Sequence, residues 1–210
     1  MTGQDAPPGN VKVTRADWLR AARDALVQDG VAGVKVLVLA DRLGVSRSSF
    51  YWYFRDRDAL LDALLEEWSE ANSAGLIEMA GRPAATVTEA VCNVFRCTVD
   101  PELFNMEADF AVRAWGRSEP RVAARVAETD ARRLAALTAM FARHGYPAQE
   151  AETRALVLYY MQIGYDLAER GESLEARIAR VPDYLHVFTG RAPGAEEVAG
   201  FAAYARAHGR

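Results

Sequence analysis

Cysteine, histidine and long apolar runs are all scarce in this chain. The two cysteines, Cys92 and Cys97, stand five apart in a helical pattern and so point to different faces. That spacing excludes a disulfide framework and a CxxC motif, and leaves reduced, half-buried thiols. The three histidines, His144, His186 and His208, are far apart with no HxxxH spacing, so no metal site is expected. Neither a GxSxG elbow nor a phosphate-cradling glycine loop is present, and no catalytic residue, enzymatic activity or cofactor is expected. Apolar runs such as Val36-Leu37-Val38-Leu39-Ala40 fall far short of the roughly 20 residues of a membrane span. Residues 1–10 lack the basic start and apolar core of a signal peptide. A cytoplasmic chain with no membrane partner is therefore expected, with residues 1–13 a disordered lead-in.

What is present is a globular composition, 50% hydrophobic and 26% charged. The net charge of −4 hides an asymmetry. Up to Asp56 there are eight basic and six acidic residues; beyond it there are 17 and 23. A mildly basic head on an acidic body suits local contact with phosphate, although the excess is small.

Helical periodicity dominates. Thr14 with Asp17 three residues on forms a capping-box pattern. Trp18, Ala22, Ala25 and Leu26 then make an apolar stripe that Gly30 ends. Residues 36–39 read either as a buried strand or as a helix. Leu39 and Leu43 one turn apart, followed by Gly44, favour the helix. Ser46 is placed to cap a third helix running to about Tyr53, and Asp56 a fourth, whose apolar face is Leu60, Leu61, Leu64, Leu65 and Trp68. Further on, Gly81 with Pro83 marks a break, and Asp100-Pro101 reads as a helix start. A long helix from near Ser118 to Arg143 is expected to turn Val122, Val126, Leu134, Leu137 and Phe141 inward. The run 144–147 stops it, a further helix occupies 148–170, and Pro182 interrupts or bounds whatever follows Ser173. The expected segments are 1–13, a reading head over 14–56, a helical body over 57–190, and a linker with a short Ala-rich helix over 191–210.

Two short helices joined by a glycine-containing turn have the shape of a DNA-reading unit. Ala40 is small where the helices cross, and Gly44 supplies the positive φ of the turn. Leu39, Leu43, Val45 and Phe50 fill the space between them. The outward face of the second helix then carries Arg47, Ser48, Ser49, Trp52 and Tyr53, with no carboxylate. Spacing alone leaves a generic helical hairpin equally open.

The run over 44–61, with its glycine-valine-serine turn, aromatic-rich helix, phenylalanine and basic residue opening the next helix, resembles the TetR-family signature. The likeness is dense over 14–65 and vague beyond. It implies an all-α protein: a three-helix helix-turn-helix head, joined by a fourth helix to a larger ligand-binding and dimerisation body. Carried over, it implies that Ser46, Tyr51, Tyr53 and Arg57 hold backbone phosphates. Arg47, Ser48, Ser49 and Trp52 would meet base edges, and Lys35 a phosphate or groove edge. Packing onto the fourth helix is the other reading of Tyr51 and Tyr53. Three positions depart from the pattern: Lys35 where threonine is common, Ser48 where glycine is, and Tyr53 where histidine is.

The body is rich in aromatic and methionine side chains, each more simply read as core than as ligand contact. Together they suggest an apolar pocket at Trp68, Phe104, Phe110, Trp115 and Tyr160. The cluster Glu66-Glu67-Glu70 reads as a solvated polar face. The function this implies is a DNA-binding regulator, a repressor released by a small, mostly apolar effector. Its partners are a palindromic duplex operator and a second copy of the chain. The expected dimer surface holds Leu156, Tyr160, Ile163 and Leu167 with the segment 174–188. An all-helical enzyme or carrier with an aromatic cavity for a lipid-like molecule is the alternative.

Overall fold

The computed structural model describes residues 13–168 and 171–209. Apart from Val13, the expected lead-in lies outside the described residues. Among them there are helices and no strands, and no helix is long and apolar enough to cross a membrane. Two compact units emerge, Met1–Leu64 and Leu65–Arg210.

The head is built from α1 (Arg15–Asp29), a 3-10 turn (Val31–Gly33), α2 (Val36–Leu43), a 3-10 helix (Arg47–Trp52) and the start of α3 (Arg57–Gly81). Its boundaries are local chemistry. Asp17 N donates to Thr14 Oγ1 at 3.3 Å while Thr14 N donates to Asp17 Oδ2 at 2.8 Å, closing the capping box reciprocally. Gly44, at φ 66°, ends α2 in the left-handed conformation that a side chain disfavours. The ambiguous run 36–39 is helical. Trp18, Leu26, Leu39, Phe50 and Leu60 are almost fully buried, and Trp18 meets Phe50 edge-on with ring centroids 5.2 Å apart. Burial of each such side chain contributes roughly 1.5–3 kcal/mol.

One expected helix differs in kind. The segment opening at Ser46 is a 3-10 helix, and the Ser46 hydroxyl does not cap it. It lies 2.8 Å from Ser48 Oγ instead, while Ser49 Oγ donates to the Ser46 carbonyl at 2.9 Å. By contrast, Asp56 caps α3 as expected, accepting from Ala59 N at 2.8 Å.

The body comprises the rest of α3, α4 (Val87–Phe95), a 3-10 turn (Arg96–Thr98), α5 (Met106–Gly116) and α6 (Pro120–Arg143). It continues through α7 (Ala148–Leu167), α8 (Leu174–Ala179), α9 (Val181–Thr189) and α10 (Ala195–His208). Helix α4 is buried along its whole length, the mark of a central element. Around it pack Leu137 and Phe141 of α6, Ala155 and Leu158 of α7, Leu185 and Phe188 of α9, and Phe201 and Ala205 of α10. The terminal helix is thus part of the body core. Thr86 and Thr88 also donate their hydroxyls to Glu197, the latter at 2.6 Å.

Three local expectations are corrected. Asp100-Pro101 does not start a helix: the Asp100 carboxylate accepts from Glu102 N at 3.0 Å and shapes a turn, and α5 begins at Met106 under an Asn105 cap. The turn packs closely on α3, where a Cβ at Gly75 would lie 2.2 Å from the Leu103 carbonyl oxygen. The carboxylates of Glu66 and Glu70 are not merely solvated. They pair with Arg125 and Arg132, the latter at 2.6 Å, and tie α3 to α6. Cys92 and Cys97 are buried rather than half-buried, and burial pushes both thiols up to about 12.

Candidate nucleic-acid interface and effector cavities

In the head, the 3-10 helix and the N-terminus of α2 carry the exposed side chains. Lys35 occupies the cap position of α2, exposed and making no cap hydrogen bond. Trp52 is 80% exposed and Tyr51 49%. Arg47 extends beside them, donating from Nη2 to Tyr51 Oη at 3.0 Å. Ser46 and Ser48 are exposed and Ser49 is half-buried. The result is a patch of hydroxyls, a guanidinium and an indole, with no carboxylate on the 3-10 helix, suited to an electronegative surface.

Two predicted phosphate ligands are engaged inside the head. Tyr53 Oη donates to the Val13 carbonyl at 2.7 Å, tying the chain ahead of α1 to the recognition segment. Arg57 Nε and Nη2 donate to the carbonyls of Val34 and Val31, each at 2.6 Å. Those contacts fasten the start of α3 to the turn before α2. Both side chains are thus held by backbone carbonyls of the head, contacts that spacing along the chain does not reveal.

In the body, the five residues expected to form one pocket are not gathered into one. Tyr160 is 50% exposed on α7 and Phe110 is half-buried. Trp68 is buried, its Nε1 donating to Asp109 Oδ1 at 3.2 Å, and Trp115 is buried with Arg121 over its ring. Phe104 lines a cavity of about 40 Å³ with Leu76, Leu137, Tyr159 and Ile163. A second cavity of about 40 Å³ lies among Phe95, Met161, Tyr165, Ile178 and Tyr184. A more open cleft of about 210 Å³ reaches Phe104 and Met106 past Arg177 and Glu107. All three share Thr98, at the end of the 3-10 turn that follows α4.

Beside the first cavity lies a buried polar cluster with no counterpart in the sequence reading. Arg133 of α6 is wholly buried and donates to Asp109 Oδ1 at 2.8 Å, Tyr159 Oη at 3.0 Å and Ser73 Oγ at 3.0 Å. Arg113 bridges Asp109 and Asp130, and Tyr159 Oη donates to Asp130 at 2.7 Å. Burial pushes the Arg133 guanidinium down, but the Asp109 carboxylate and the Tyr159 hydroxyl together more than restore it, so the group stays charged. One signal existed: Asp130 and Arg133 stand on the same stripe as Val126, Leu137 and Phe141, where solvated charges do not belong.

A helix-turn-helix head on an all-helical body defines a class of bacterial DNA-reading proteins. Residues 19–64 match the family model for "Bacterial regulatory proteins, tetR family". The tetracycline repressor protein class A from transposon 1721 of Escherichia coli is 52% identical over 48 residues, 23% of this chain and 22% of that protein. The regulator TtgR of Pseudomonas putida is 36% identical over 59 residues, 28% of each chain. The chain thus matches only about a quarter of the length of these curated relatives. Its fold is similar over most of the chain to a TetR-family regulator from Marinobacter aquaeolei VT8, with a TM-score of 0.65 and 15% identity over 94% of this chain and 100% of that one. A transcriptional regulator from Rhodococcus sp. Rha1 gives 0.63 and 20% over 91% and 97%. The TetR-family match thus covers residues 19–64 of the head, and the likeness over the rest of the chain is one of fold.

Proposed function

We propose that the protein is a sequence-specific transcriptional repressor that binds a palindromic operator as a homodimer and is released by a small, mostly apolar effector. The observation that carries this reading is the carboxylate-free exposed patch of Arg47, Ser48, Tyr51 and Trp52 beside Lys35. Arg47, Ser48, Ser49 and Trp52 read base edges, while Lys35, Ser46 and Tyr51 hold phosphates. Tyr53 and Arg57 serve mainly to position that surface, given their carbonyl partners.

Homodimer formation is supported by an apolar strip on α7, where Leu156, Val157, Tyr160 and Leu167 are 37–65% exposed, and by Val187 of α9 at 69%. Ile163, expected on that surface, instead lines the Phe104 cavity. Two heads related by a two-fold axis read half-sites one helical turn apart.

The effector site is best placed where the cavities meet at Thr98, and of the five expected pocket residues it keeps Phe104. Each small cavity is well below the roughly 300–1,000 Å³ of an ordinary ligand site, so binding must open it. Leu76 of α3 lines the Phe104 cavity, and α3 runs without a break from Arg57. An effector that shifts α3 changes the spacing of the two heads. A preference of about 2.7 kcal/mol for the misaligned state weakens operator binding roughly a hundredfold.

Selection of bound sites from random duplex DNA tests the reading. A palindromic consensus is expected, with log affinity falling against log salt at a slope near −7 if each head neutralises about four phosphates. Arg47→Ala should relax the consensus at one base pair per half-site without altering stability. Absence of any sequence preference would overturn the proposal.

A further inference from the structure

The guanidinium of Arg133 has one unused arm. Its Nε and Nη1 take Ser73, Asp109 and Tyr159, but Nη2, buried, has no acceptor among the described residues. A buried donor left without a partner is costly, the more so on a charged group, which makes it an incentive for any acceptor brought beside it.

Arg133 itself does not line the apolar cavity, but residues that touch its guanidinium do. The Arg133 guanidinium lies over the Phe104 ring at 4.9 Å and holds Tyr159, and both aromatics line the cavity. Leu76 and Leu137, also in the lining, stand about one helical turn beyond Ser73 and Arg133 themselves. The charges around the guanidinium are already balanced: Arg113 and Arg133 face Asp109 and Asp130. An incoming carboxylate would leave a net buried negative charge, which is unfavourable in a desolvated setting. A neutral oxygen acceptor satisfies Nη2 and adds no charge.

From this we infer that the effector is an apolar molecule bearing a neutral carbonyl-type acceptor, which Arg133 Nη2 hydrogen-bonds while Phe104 and Leu137 enclose the body. The inference rests on the effector-responsive reading and names the chemistry of its ligand. Selectivity against carboxylates follows from charge balance, and selectivity over plain hydrocarbons from the unused donor.

Three probes of similar size separate these contributions: acetophenone, benzoate and ethylbenzene, titrated calorimetrically into the full-length protein at pH 7.5. Acetophenone should bind at least as tightly as ethylbenzene despite being less apolar, and at least tenfold more tightly than benzoate. Arg133→Met alone orphans Asp109, so it is paired with Asp109→Asn, which keeps the cluster neutral. In that double variant the preference for acetophenone over ethylbenzene should fall at least tenfold. The inference is overturned if benzoate binds better than acetophenone, a comparison that needs only the unmodified protein. It is equally overturned if the carbonyl preference survives in the double variant, or if none of the probes binds. The same preparation is tested for operator selection. Sequence-specific DNA binding with failed probes refutes the ligand chemistry alone, whereas absent DNA binding refutes the regulator reading itself.

Discussion

The two units of the chain treat their polar groups in opposite ways. Among the described residues of the head, the buried set is apolar and aromatic; its charged and hydroxyl side chains stay at least partly exposed. The body buries Asp109, Asp130 and Arg133 within one cluster and Ser69 with Thr129 as a hydrogen-bonded pair, and it encloses small cavities. A short, locally connected unit that presents fixed side chains to another surface gains from a dry, well-packed interior. On the proposed function, a body that admits and distinguishes small molecules would gain from fixed buried dipoles and from space that opens. The contrast also separates two uses of arginine. Arg47 is left outward, while Arg57, Arg113 and Arg133 are spent holding backbone or carboxylates.

The largest test of this contrast lies in the body. Asp109→Ala strips Arg133 and Arg113 of a shared carboxylate and leaves buried positive charge uncompensated. Denaturant unfolding should show a loss of about 3–5 kcal/mol. A loss below about 1 kcal/mol would mean that the cluster is solvated in solution and that the contrast with the head is false.

Arg57→Met probes the head at intermediate size. Loss of two hydrogen bonds to carbonyls should cost about 1–3 kcal/mol of head stability. DNA affinity should fall alike for all sequences, with the salt slope unchanged. A slope reduced by about one unit would instead restore Arg57 to the phosphate contacts.

A smaller effect is expected at the head's first residues. Thr14→Ala removes one half of the capping box and should cost about 1 kcal/mol, read from the thermal midpoint. Asp17 should then lose the Thr14 hydroxyl hydrogen bond, the first cause holding its carboxyl below the usual value, and keep the one from the backbone N–H at position 14.

The smallest expected effect concerns acid. Burial pushes the Glu197 carboxyl up, but hydrogen bonds from Thr86, Thr88 and Gly194 N outweigh it and hold the group below its ordinary value. A depressed carboxyl stabilises the fold above its unfolded pKa, and that contribution is lost as pH falls through the folded value. Protection of α10 amides from hydrogen exchange should therefore weaken on acidification below the usual carboxylate range. Glu197→Gln should flatten that dependence, and an unchanged profile would show that the Thr86–Thr88–Glu197 contact is incidental.

The sequence by itself determined the head and the helical character of the body. The Thr14–Asp17 box, Gly44 and the Asp56 cap act over three or four residues, so their effects can be read from spacing without knowing the fold. The exposed, carboxylate-free face at Arg47 to Trp52 follows from the same local geometry. Only the tertiary structure decided where the body's aromatic side chains go. Trp68, Phe104, Phe110, Trp115 and Tyr160 share a composition but not a place, because burial there depends on pairings such as Ser69 with Thr129, 60 residues apart. The tertiary structure also decided that Arg57 turns inward to two carbonyls and that Arg133 is buried. Periodicity states which face of a helix a residue occupies; which helix covers that face, and whether an acid from it meets the charge, depends on long-range packing that spacing does not encode.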